Sequence, residues 1–174
     1  GRTNNLGEII LDKNGSGKKN ATTPTQTFSL FVTAEPYFAV RQPSEEVILE
    51  NDIEKGSKKK TVLVSDYKLI RRAQYAKIGN PLALTLDLKS TPLDVYQARN
   101  AVEIARSRGA QSYASDIFSN AVSGLKTTED ALAGRKKREV IVTDARQTVQ
   151  YAEDARALTE QKKEQQRIAG EVDI

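Results

Sequence analysis

"AVEIARSRGAQSYASDIFSNAVSGLKTTEDALAG", residues 101–134, holds seven alanines among serines, threonines and glycines, with few large apolar side chains between them. Alanine favours a helix intrinsically. At every third or fourth position it also lets neighbouring helix axes approach to the short end of the usual ~8–10 Å range. Val95 and Ala98, just upstream, share one helical face with Val102 and Ala105. Within the stretch Ala114, Ile117 or Phe118, Ala121, Leu125 and Leu132 share another, and downstream Val142, Ala145, Val149 and Ala152 share a third. Phe118, Ile117, Leu125 and Tyr113 fill what the alanines leave open. The pattern predicts closely packed helices.

The helical period begins at "KSTPLD" (89–94). Thr91 suits an N-cap, Pro92 the first helical position and Asp94 the positive end of the macrodipole. Beyond Pro92 the chain has no proline, and Gly109 and Gly134 are natural stops. Helices are therefore expected over about 92–108, 111–133 and 136–170. The short links make sequential helices antiparallel, an up-down-up bundle. "ARNAVEIA" (98–105) and "ARQTVQYA" (145–152) keep Ala, Arg, Val and Ala at matching positions. First and third helices that pack on the second through equivalent surfaces would show this; a helical-repeat solenoid is the rival reading. After Leu158 the last helix is polar almost all round, the pattern of a solvent-bridging or frayed helix.

Before Ser90 the period is two. "LALTLDL" (82–88) alternates Leu82, Leu84, Leu86 and Leu88 with Ala83, Thr85 and Asp87, and "FSLFVTA" (28–34) alternates similarly. "EIIL" (8–11), "YFAV" (37–40), "EVILE" (46–50) and "TVLV" (61–64) are shorter strand candidates between turn-forming stretches. Residues 65–77 read as strand or as a short helix. The fold class expected is a segregated α+β chain. An antiparallel β-sandwich-like domain (1–90) precedes an up-down-up three-helix bundle (91–174) with a protruding polar C-terminal helix.

Composition excludes much chemistry. The 174 residues include no cysteine and no histidine, which removes disulfides, thiol nucleophiles, the usual zinc sites and every Ser-His-Asp triad. A net charge of +4 arises from 27 basic and 23 acidic residues, mostly interspersed, which weakens a nucleic-acid reading. No apolar run approaches the length of a membrane span. "GRTNNLGE" has no methionine and reads as the start of a fragment, so the missing signal peptide carries no weight.

Few motifs invite chemistry. "NGSGKK" (14–19) resembles a phosphate-binding loop, but Asp12 stands where the first glycine belongs, Lys19 follows Lys18, and no helical pattern follows; it reads as a hairpin tip. "NAT" (20–22) fits the N-glycosylation pattern, which is common by chance. Glu45/Glu46 and Glu129/Asp130 are adjacent pairs with nothing to set them across a cleft. Tyr37 and Phe38 read as core residues. The remaining candidates are two basic runs: Lys58, Lys59 and Lys60 in a turn, and Arg135, Lys136, Lys137 and Arg138 at the start of the third helix. Cations at a helix N-terminus oppose the macrodipole, which hints at an anionic partner.

"PLDVYQARNAVEIARSRGAQSYASDIFSNAVSGLKTTEDAL" followed by "DARQTVQYAEDARALT" resembles a bacterial helical domain of unknown function found in exported envelope proteins. There an alanine-rich helical region often precedes an OmpA-like, peptidoglycan-binding domain, which this sequence does not contain. "NLGEIILD" and "TFSLFVTAEPYFAVRQPSEEVILEN" are similar to the β-domain that precedes the helices in such proteins, and the resemblance implies further strands before residue 1. It carries over no catalytic residue. It implies a non-enzymatic spacer or protein-interaction module, periplasmic or outer-membrane-associated, with no cofactor and no small-molecule substrate. The implied partner is another protein or a downstream domain of its own chain, with peptidoglycan reached only through that domain. The alternative in a different class is a nucleic-acid or anionic-polymer binder using the two basic runs.

Overall fold

The structure is a computed structural model that describes residues 3–26, 28–44, 46–50, 68–69 and 80–172. The chain divides into two compact units, residues 1–79 and 80–174.

The first unit carries a small sheet in the order β1-β2-β3, formed by β1 (Phe31–Thr33), β2 (Glu46–Glu50) and β3 (Lys68–Leu69). β1 and β2 are antiparallel with an irregular register between Val32 and Thr33, and β2 and β3 are parallel. Ala34, Tyr37 and Val47 are buried beside it. The Asn5 side chain donates to the carbonyls of Phe38 and Val40, and Ser44 bonds both Glu35 and the carbonyl of Ala34.

The β-sandwich expected here is corrected. The chain is mostly helical, and the described residues contain no second sheet. Residues 8–11 and 37–40 are not strands, and only 31–33 of the stretch 28–34 is extended in a ladder. A sandwich forms when two sheets bury their apolar faces on each other. Here Ile10 (61% exposed), Phe28 (55%) and Leu49 (64%) face solvent instead. The expected strand at 61–64 and most of the ambiguous stretch 65–77 lie outside the described residues.

The expected strand at 82–88 is not one either, and it belongs with the helices. Asn80 clamps Leu84 through both its amide nitrogen (2.7 Å) and its oxygen (3.1 Å), while Ala83 takes a positive φ of 50°. That turn breaks the alternation. Leu82, Leu86 and Leu88 are left exposed, and the Asp87 N–H donates to the Tyr96 hydroxyl at 2.8 Å. The expected boundary at Ser90 therefore falls inside the second unit.

Four helices follow: α1 (Leu93–Ser107), α2 (Ala110–Tyr113), α3 (Ser115–Ala133) and α4 (Arg138–Val172). The residue preceding α1 is Pro92, and no side chain caps the helix, so Thr91 does not serve as the cap. Asp94 in the first turn instead holds Arg146 at 3.0 Å. Gly109 in the left-handed region (φ 93°) ends the first helical run. Ala114 leaves helical geometry (φ −140°, ψ 44°), which separates α2 from α3. The Tyr113 carbonyl at that break accepts from Lys162 at 2.6 Å, and Lys163 caps the Arg108 carbonyl. α1 pairs with α4 at successive heights (Asp94 with Arg146, Arg108 with Glu160), so these two run parallel. Arg99 meets Glu129 and Arg106 covers Phe118, so α3 runs the other way.

The alanine seams are the core. Val95, Ala98, Ala101, Val102 and Ala105 of α1 are buried. So are Phe118, Ala121 and Ala131 of α3 and Ala145, Val149, Ala152 and Ala155 of α4. The matching octets place equivalent residues inside: Ala98 and Ala145, Val102 and Val149, Ala105 and Ala152. Each octet's arginine reaches a carboxylate of a neighbouring helix, Arg99 to Glu129 and Arg146 to Asp94. The helices approach closely where Gly124 faces Thr148, since a Cβ at Gly124 would lie 2.7 Å from the Thr148 hydroxyl.

Candidate functional site

The basic residues of the helical unit sort by position. Arg99 makes a two-point bond to Glu129 (2.6 and 2.8 Å) and also lies over the Tyr96 ring. Its hydrogen bonds to Glu129 hold its guanidinium pKa above the usual value. Arg156 grips the fully buried Glu153 at 2.7 and 2.8 Å. Arg106, Arg108, Arg146, Arg167 and Lys126 each hold a carboxylate, and Lys162 and Lys163 hold backbone carbonyls. These contacts occupy the cations as structural ties.

Arg135, Lys136, Lys137 and Arg138 are different. All four are exposed, and among the described residues none has an ion-pair or side-chain hydrogen-bond partner. They form the link from α3 to α4. The Gly134 N–H closes on the Asp130 carbonyl, Arg135 takes a left-handed φ of 51°, and the Lys136 N–H returns to the Ala131 carbonyl. A fixed backbone thus presents the four cations. Arg135, Lys136 and Arg138 line a shallow cleft of about 210 Å³ with Ser90, over Pro92, Leu132 and Ile141. Ser90 brings in the turn before α1, where Lys89 is also exposed and unpaired among the described residues. In that turn the Asp87 carboxyl sits below its ordinary pKa because the Ser90 hydroxyl bonds it at 2.7 Å and the Lys89 N–H at 3.2 Å.

Lys58, Lys59 and Lys60 lie outside the described residues. The run 14–19 is a turn around Asp12, whose Oδ1 accepts from the N–H groups of Asn14 and Ser16 (2.8 and 2.9 Å). No helix follows it. Glu129 is tied to Arg99 and Asp130 to Lys126. Among the described residues no group of three or more acidic side chains is placed to hold a metal ion. Residues 135–138 stand out in the sequence as a run of charge; Lys89 does not, because a single charge beside a turn gives no signal of its own.

The chain matches no protein-family model, no curated protein and no solved structure.

Proposed function

We propose that the protein is a non-catalytic structural module, a spacer that holds an interaction surface at a fixed distance within a larger exported cell-envelope protein. The observation that carries this reading is α4. Its 35 residues correspond to about 52 Å of continuous helix. Its first half is embedded against α1 and α3, while residues 164–171 are exposed on every side. A helix that outruns its bundle and is polar all round suits a strut between separate bodies. The resemblance to helical regions of envelope proteins supports a periplasmic or outer-membrane-associated setting. It also supports a protein partner or another domain of the same chain, with peptidoglycan reached only through such a domain.

The test uses the chain's lack of cysteine. Spin labels on Cys introduced at the exposed positions Thr143 and Gln166 should report one narrow distance of about 35 Å, the rise of a continuous helix between them. A broad distribution reaching much shorter distances would remove the strut and this reading with it.

A further inference from the structure

We propose that the end of the helical unit built from the 87–92 turn and the 134–138 link docks on an anionic lipid surface. Of the lysines and arginines between residues 80 and 172, only Lys89, Arg135, Lys136, Lys137 and Arg138 lack a side-chain partner among the described residues. All five belong to these two segments. Their concentration at the start of α4 opposes the helix dipole, a cost that no internal contact offsets. The local carboxylates do not cancel the charge. Asp94, Glu129 and Asp130 are each tied to a cation outside the link, leaving Asp87, Glu139 and, a turn further along α4, Asp144.

Two exposed apolar side chains lie near the cations in sequence: Leu88 (52% exposed), which precedes Lys89, and Val140 (41%), two residues after Arg138 and lining a shallow cleft with Glu139, Thr143 and Asp144. Cations interleaved with apolar groups match a bilayer interface, where phosphates meet acyl chains. A nucleic acid fits less well. Neither segment carries an aromatic ring for base stacking, and the exposed leucine and valine would gain nothing from a phosphate backbone. Docking here would place residues 164–171 of α4 away from the surface. It does not depend on the spacer reading, which is tested by the continuity of α4 between Thr143 and Gln166.

The experiment is co-sedimentation of the whole chain with phosphatidylcholine vesicles, with and without phosphatidylglycerol. Binding is expected only with phosphatidylglycerol, and it should weaken steeply as salt rises. K136E/K137E should reduce partitioning at least about thirtyfold, and L88S/V140S should reduce it several-fold at constant salt. K18E/K19E makes the same charge change on exposed lysines of the other unit and should leave binding within about twofold, because a local patch rather than net charge is being read. Circular dichroism of each variant checks that the helices persist. Four results overturn the proposal: no binding to phosphatidylglycerol vesicles, equal binding without it, equal loss in K18E/K19E, or displacement from vesicles by duplex DNA at matched ionic strength.

Discussion

The two halves of α4 are one helix held in two ways. Between Ile141 and Thr159 the buried residues form one helical stripe: Ile141, Ala145, Thr148, Val149, Ala152, Glu153, Ala155 and Thr159. The buried threonines return their hydroxyls to carbonyls four residues back, at 2.8 Å for both Thr148 and Thr159, so burial leaves no donor unmet. From Glu164 to Glu171 no side chain is buried, and the visible support is Arg167 bridging Glu164 and Glu171. Tertiary packing fixes the first half; propensity and local charge pairs carry the second. A helix can thus be core and strut at once, provided that its two halves tolerate substitution differently.

The largest expected effect tests the packed half's seam. Ala121 is fully buried on α3. Leucine there must push the helices apart, and should cost about 1–3 kcal/mol in urea unfolding. Leucine at Ser123, exposed on the same helix, should change stability by less than about 0.5 kcal/mol. Equal losses at the two positions would mean that the alanines are not what sets the helix spacing.

A smaller effect sharpens the same point where Gly124 faces Thr148. Replacing Gly124 by alanine gains about 1 kcal/mol of helix propensity. The new Cβ would, however, lie 2.7 Å from the Thr148 hydroxyl, which donates to the Asp144 carbonyl and cannot swing away freely. Overpacking should win, for a net loss of about 1 kcal/mol. In a T148A background the obstruction is gone, so the same G124A change should stabilise. A sign reversal across this double-mutant cycle is the signature; additive losses would show that the crossing is not tight there.

The difference between the seams and the β-region also explains what could be read from sequence. A helix makes its hydrogen bonds within its own segment, so the spacing of Ala98, Val102 and Ala105 was enough to place them inside. A strand's bonds are made elsewhere in the chain. Leu82, Leu84, Leu86 and Leu88 alternate as a strand would, yet the side chain of Asn80 captures the Leu84 backbone and no neighbouring strand does. Alternation reveals which face could be buried, not whether a partner exists. The basic run at 135–138 was likewise legible as charge. That its cations lack partners among the described residues, while Arg99 and Arg146 find theirs across helices, is a tertiary fact that no local pattern carries.

The smallest expected effect lies in the exposed half. Arg167 holds the Glu164 carboxyl below its ordinary pKa by hydrogen bonding at 2.7 Å, and is itself raised by the same bonds. A carboxylate with a depressed folded pKa contributes stability above its unfolded value, about pH 4.3, and loses it as pH falls through the lower folded one. The last turns should therefore fray in acid by a step that depends on this pair. Because both partners are exposed, R167A should leave the unfolding midpoint of the bundle where it is; alanine itself favours the helix. Amide exchange should quicken in residues 164–171 and stay unchanged in residues 145–155, and the acid step in ellipticity should disappear. A midpoint shift as large as that of A121L would show that the arm is packed against something, and the division of α4 into core and strut would fail.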